Sequence, residues 1–193
     1  RAKSRVEAKN KDGKYIAYFQ SFTNTYGPVE KLRKMYYEAI TPKDIVGLNV
    51  ATRPDCLPEN VIRLLAEINA IKPVTVELGL QTIHESTARF INRGYPLSVF
   101  DEALSKLKAE GFEVVVHIIL GLPQETEEMM LNTVDYVAKS SADGIKLQLL
   151  HVLEGTPLAK FYREKFFETL TLEEYITLLK KCVALLPPEM VVH

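Results

Sequence analysis

The run Val74-Thr75-Val76-Glu77-Leu78-Gly79-Leu80-Gln81-Thr82 carries the pattern that repeats along the chain. Pro73 introduces this apolar, β-branched run, polar residues end it, and a helical segment follows. Four other runs behave in the same way. Their polar stops are Phe19-Gln20-Ser21-Phe22-Thr23-Asn24-Thr25, Asn49-Val50-Ala51-Thr52-Arg53-Pro54-Asp55, His117-Ile118-Ile119-Leu120-Gly121-Leu122-Pro123 and Gln148-Leu149-Leu150-His151-Val152-Leu153. Strands separated by helices of this length join in parallel through right-handed crossovers, so the chain reads as an α/β fold with a parallel, helix-covered sheet. Five strands cannot close the eight-stranded (β/α) barrel. The expected architecture is an open, partial (β/α) barrel of about five parallel strands, whose first strand is an edge. Ligands of such folds gather beyond the carboxyl ends of the strands, so the polar stops are the candidate site and the middle of each strand reads as core.

The expected strands are Lys14–Gln20, Ile45–Ala51, Val74–Leu80, Phe112–Leu120 and Ile145–Leu150. Pro28 opens a helix with Val29, Leu32, Met35, Tyr36 and Ile40 at helical spacing, and Pro58 opens one that buries Val61, Leu64, Leu65 and Ile68. The insert after the third strand reads as a short helix, His84–Arg93, closed by Gly94, and a longer one, Leu97–Glu110, closed by Gly111. A helix over Glu125–Lys139 follows the fourth strand. Residues 1–13 form a polar, basic arm expected to cover the first strand, residues 14–157 the βα units, and residues 158–193 two closing helices, Leu158–Phe166 and Leu172–Leu186. The whole, 1–193, reads as one domain.

With 47% hydrophobic and 25% charged residues, the chain can bury a real core, and its formal charge of −1 disfavours a general electrostatic grip on nucleic acid. No apolar run approaches the roughly 18 residues of a membrane span and no signal peptide opens the sequence, so the expected location is cytoplasmic, without a membrane partner. Cys56 and Cys182, far apart in different kinds of segment, suggest neither a disulfide framework nor a metal motif. The chain starts at Arg1, without Met or a βα unit before its first strand, and reads as a piece of a longer protein.

Leu120-Gly121-Leu122-Pro123-Gln124-Glu125-Thr126, Glu77-Leu78-Gly79-Leu80-Gln81-Thr82 with Asn92-Arg93-Gly94 behind it, Thr52-Arg53-Pro54-Asp55, and Leu153-Glu154-Gly155-Thr156-Pro157-Leu158 carry a resemblance. In order and spacing they resemble the radical S-adenosylmethionine (SAM) superfamily, in the iron-sulfur oxidoreductase branch related to oxygen-independent coproporphyrinogen III oxidase and to the elongator-type acetyltransferase subunit. That resemblance implies a partial six-stranded barrel binding SAM and a [4Fe-4S] cluster, reduced by a flavodoxin or ferredoxin, which cleaves SAM to a 5'-deoxyadenosyl radical acting on a substrate left open. The cluster cysteines of the family, C-x3-C-x2-C after the first strand, are absent from this sequence. The expectation is a truncated, TIM-barrel-like core that by itself is inactive and holds no metal.

Through the same resemblance, Thr23 falls in the stretch that approaches the SAM amino group, Gln81 near the methionine moiety or ribose, and Arg93 where a guanidinium pairs with the carboxylate. His117 stands where several relatives place an Asp on the ribose, and Ile119 and Leu150 match apolar positions that sandwich the adenine. Each residue also has a plainer reading. Gln81 and Thr82 can cap the next helix, Arg93 can answer a helix dipole, and His117 and His151 can be satisfied core histidines. Glu77 is either a cavity-lining carboxylate or half of a buried pair with Lys146 or Arg53, and Asp55 can cap the helix after Pro58.

Two other functional classes suit the same pattern. One is a complete small α/β barrel lyase or isomerase using a Lys or carboxylate base, for which the sequence offers Lys146 but no glycine-rich phosphate loop after the last strands. The other is a non-catalytic protein-binding module docking through its acidic-aromatic C-terminal helices. An exposed first strand would also let two copies of the chain associate.

Overall fold

A computed structural model describes residues 13–193. Its strands are β1 (Tyr15–Phe19), β2 (Ile45–Thr52), β3 (Val74–Gln81), β4 (Glu113–Leu120), β5 (Gly144–Leu149) and β6 (Val191–Val192). They form one sheet in the order β1-β2-β3-β4-β5-β6, and every neighbouring pair is parallel. The helices are α1 (Val29–Ile40), α2 (Glu59–Asn69), α3 (Glu85–Phe90), α4 (Leu97–Ala109), α5 (Glu127–Ala138), α6 (Pro157–Arg163) and α7 (Leu172–Leu185). The result is the expected open half-barrel, curled and helix-covered. The expected arm falls almost wholly outside the described residues.

The strand count is corrected from five to six. Val191 and Val192 pair with Gly144 and Ile145 of β5, sealed by Val191 N–H to Asp143 O and His193 N–H to Ile145 O, each 3.0 Å. Two residues after Pro187-Pro188 are too few to display the alternation by which a strand is read.

Alternation along each longer strand separates two faces. Leu48, Val50, Val76, Leu78, Val116 and Ile118 join Tyr36, Leu64, Leu65, Phe100, Leu107 and Val134 of the helices in a continuous buried core. The helices are stopped and started by local chemistry: Thr126 caps α5 by accepting from Met129 N–H at 3.3 Å, and Thr171 and Glu174 form a reciprocal capping box on α7. Gly111, at φ +76, takes the left-handed turn between α4 and β4 that a side chain disfavours. The opposite, concave face carries Asn49, Ala51, Glu77, Gly79, His117, Ile119 and Lys146.

Candidate functional site

At the carboxyl ends of the strands the concave face opens into a cavity of about 510 Å³, within the range of small-molecule sites. Its walls include Gln20 after β1, Thr52 and Arg53 of the β2 end, Gly79 and Gln81 of β3, His117 and Ile119 of β4, and Gln148 and Leu150 of the β5 end. Leu158 of α6 lines it as well.

Three residues of the cavity wall, Phe22, Gln81 and Asn92, have positive φ, and at Gln81 this coincides with a break in the sheet register. Two β3 residues, Leu80 and Gln81, oppose one of β4 there, because the register steps from Gly79↔His117 to Gln81↔Ile118. Gln81 has φ +69, and Thr82 N–H donates across it to Leu80 O at 2.9 Å. This three-residue turn with positive φ is rare for a residue bearing a side chain, and it persists only where its surroundings hold it. The surroundings do so through nearly every nearby carbonyl. Arg93, only 4% exposed, donates from Nη1 to Leu80 O at 3.3 Å and to Thr82 O at 2.5 Å, from Nε to Tyr95 O at 3.0 Å, and from Nη2 to Glu85 at 3.1 Å. Tyr95 Oη donates to Gly79 O, and its ring lies 4.8 Å from the Arg93 guanidinium carbon. Burial pushes the Tyr95 hydroxyl up to about 12, keeping it a donor. Thr82 Oγ1 donates to Glu125 at 2.5 Å and accepts from His84 N–H at 3.1 Å. Burial raises the Glu125 carboxyl above its ordinary value.

Held in this way, Gln81 buries its Oε1 in the cavity wall without a hydrogen-bond partner, the one such side-chain atom among the described residues. A buried acceptor left unpaired costs about 1–3 kcal/mol, so it marks a place where a ligand donor would be favoured. Gly79 provides the space: a Cβ there would stand 2.8 Å from Gln81 Nε2.

One layer deeper, the concave face holds a charged network. Glu77, 2% exposed, accepts on Oε2 from Tyr18 Oη at 2.6 Å, His117 Nε2 at 2.6 Å and Lys146 Nζ at 3.1 Å. Lys146 also donates to Tyr18 Oη at 3.1 Å, and Asn49 Nδ2 lies 3.5 Å from the other Glu77 oxygen. Burial alone would raise the Glu77 carboxyl, but the hydrogen bonds from His117, Tyr18 and Lys146 outweigh it and hold the group at about 2. The Lys146 ammonium answers in kind: partial burial opposes its charge, and its bonds to Tyr18 and Glu77 overcome that and raise its pKa. Glu77 therefore satisfies both halves of its sequence reading, lining the cavity and pairing with Lys146.

The sequence matches the family described as the radical SAM superfamily over residues 3–137 and the radical SAM C-terminal domain over residues 142–193. The chain belongs to the radical SAM superfamily. It is 48% identical over 191 residues to the uncharacterized protein YtqA of Bacillus subtilis, covering 99% of this chain and 59% of that one. It is 38% identical over 185 residues to protein YhcC of Escherichia coli, covering 95% and 60%. The chain thus spans about 60% of the length of these curated relatives. Among solved structures, the fold is similar to an archaeal Elp3 from Methanocaldococcus infernus, with a TM-score of 0.86, 21% identity, and 98% and 50% of the two chains covered. It is also similar to the coproporphyrinogen III oxidase HemN of Escherichia coli, with a TM-score of 0.63, 16% identity, and 84% and 37% covered.

Of the candidate site residues, Glu77, Gln81, Arg93, His117, Ile119 and Leu150 all line this cavity, while Thr23 does not. Gln20 and Phe22 from the same loop line it instead. Arg93 lies in the wall with four of its five N–H donors spent on protein oxygens. His151 is exposed and outside the cavity lining. Asp55 pairs with Arg53 at 2.7 Å rather than capping α2, whose N-cap is Pro58. Tyr18 was hidden from sequence reasoning by its place in mid-strand, and Tyr95 by its place in a loop beyond Gly94. The only signal for Tyr18 was its polar tip on the same alternate face as Glu77.

The family implies SAM and a [4Fe-4S] cluster. The cluster does not fit these residues: Cys56 sits in a short turn at Pro54–Cys56, Cys182 is fully buried in α7, and no group of three or more potential metal ligands occurs among the described residues. A nucleoside does fit, on the strength of the unpaired Gln81 oxygen and the apolar Ile119 and Leu150 in the same wall. No helix among the described residues is long and apolar enough to cross a membrane.

Proposed function

We propose that the cavity receives the nucleoside part of SAM, and that these residues form the cofactor-binding part of an iron-sulfur oxidoreductase. When bound and reduced, SAM supplies a 5'-deoxyadenosyl radical that acts on a substrate still to be identified. The observation that carries the reading is the buried, unpartnered Gln81 oxygen, held by a braced and strained turn in the wall of a nucleoside-sized cavity. In it, Ile119 and Leu150 sandwich the adenine while Gln81 and His117 accept hydrogen bonds from ribose hydroxyls. Arg93 positions Gln81, four of its five donors being already engaged, and does not serve as the main partner of the SAM carboxylate. The cluster is held by cysteines outside these 193 residues, and a flavodoxin or ferredoxin delivers the electron. Without the cluster the chain alone is inactive and binds SAM weakly, because fewer contacts then offset the cost of ordering the ligand.

The test uses the protein in its natural length, reconstituted anaerobically with iron and sulfide, reduced and supplied with SAM. Release of 5'-deoxyadenosine that falls about 2- to 12-fold at sub-saturating SAM in Gln81→Ala is the expected result. A preparation with a full cluster that never cleaves SAM overturns the reading.

A further inference from the structure

The polar layer beneath the cavity does more than balance charge. Glu77 is nearly inaccessible, and its Oε2 collects three donors from three different strands: Tyr18 of β1, His117 of β4 and Lys146 of β5. A carboxylate can only accept. The ring nitrogen of His117 that faces it at 2.6 Å, Nε2, must therefore carry the proton. In the neutral imidazole the lone pair then falls on Nδ1, which makes no hydrogen bond to the described residues, while the ring lines the cavity. Lys146 and Tyr18 keep Glu77 ionised by donating to it from the other sides, so the oxygen facing His117 has no proton of its own to offer.

We infer that Glu77 is a positioning residue that fixes His117 as an acceptor at Nδ1, so that the cavity selects a ligand bearing hydroxyl or amino donors at that point. A carboxylate or a keto oxygen placed at that nitrogen meets its lone pair and is disfavoured, whereas a hydroxyl donates to it. This inference rests on the nucleoside reading for the identity of the ligand, but not for the state of the histidine.

The experiment is ¹⁵N NMR of the histidine-labelled 193-residue chain, at a pH where the His117 ring is neutral by its own nitrogen shifts, with the signal assigned through His117→Asn. The expected spectrum has Nε2 protonated and Nδ1 of the bare, pyridine type. In Glu77→Gln, whose amide presents either a donor or an acceptor, the two tautomers should mix. Should the Gln variant unfold, Glu77→Gln combined with Lys146→Met removes the stranded ammonium and gives the same readout. A wild-type ring protonated on Nδ1, or a tautomer unmoved by either variant, overturns the inference. Titration with 5'-deoxyadenosine and its 2'- and 3'-deoxy analogues then tests the ligand class: loss of one hydroxyl should weaken binding several-fold in wild type and less in Glu77→Gln. Equal affinity for all three in wild type contradicts the acceptor role of His117, and a chain that binds none of them defeats the nucleoside reading while the tautomer result stands on its own.

Discussion

Gly79→Ala separates the site from the fold. The added Cβ would stand 2.8 Å from Gln81 Nε2 and 3.9 Å from its Cδ, with Thr52 O next at 3.8 Å. The clash is thus with the far end of a flexible side chain, and Gly79 is not among the positive-φ glycines, so alanine suits its backbone. Replacing glycine at a compatible position restricts the unfolded chain and stabilises by about 0.4–1 kcal/mol. For a chain of this size that is a rise in Tm of roughly 1–4 °C. The Gln81 amide must swing aside, and its hydrogen bond to a ligand is lost. A neutral hydrogen bond contributes about 0.5–1.5 kcal/mol net, which is about a 2- to 12-fold loss of affinity. Calorimetric titration with 5'-deoxyadenosine beside thermal unfolding reads both quantities. Weakened binding in a protein at least as stable as wild type is the expected pair of results. Undiminished affinity would refute the role given to Gln81, and a clear drop in Tm would refute the claim that only its side chain yields.

Two further outcomes follow from the same geometry. The Glu77 carboxyl is lowered from 4.5 to about 2, so its contribution, about 3 kcal/mol, is complete above pH 4.5 and is lost as pH falls from there towards 2. Urea unfolding across that window should show a steep acid slope that Glu77→Gln flattens, and an identical slope in the variant would contradict the assignment. Arg93→Lys replaces a planar fork with a single ammonium that cannot reach Leu80 O, Thr82 O, Tyr95 O and Glu85 together; it should cost about 2–4 kcal/mol in urea unfolding, and a loss below about 0.5 kcal/mol would show that the brace on Gln81 is slack.

Much of the fold was legible because parallel βα units announce themselves by period: five apolar runs, each followed by helical spacing, placed β1 to β5 within a residue or two. β6 was not legible, since Val191 and Val192 become a strand only through the backbone groups that Asp143 and Ile145 present to them. Strand-end position led to Gln81, Ile119 and Leu150 in the cavity wall. For the charged layer, the sequence named the pair of Glu77 with Lys146 but missed Tyr18, because the rule that mid-strand means core overlooked the concave face of an open half-barrel. The turn at Gln81 could not be read either. It depends on a register step between two strands and on Arg93, twelve residues further on, and neither leaves a local mark in sequence. For Arg93 the sequence brought the residue to the cavity wall but not its bonding, because which oxygens a buried guanidinium meets is decided by tertiary contacts.

The most direct test of the central claim is to see a nucleoside in the cavity. Crystals of the protein grown with millimolar 5'-deoxyadenosine should show its adenine between Ile119 and Leu150, with ribose hydroxyls on Gln81 Oε1 and His117 Nδ1. A nucleoside bound elsewhere, or an empty cavity under conditions where solution binding is saturated, would contradict the account.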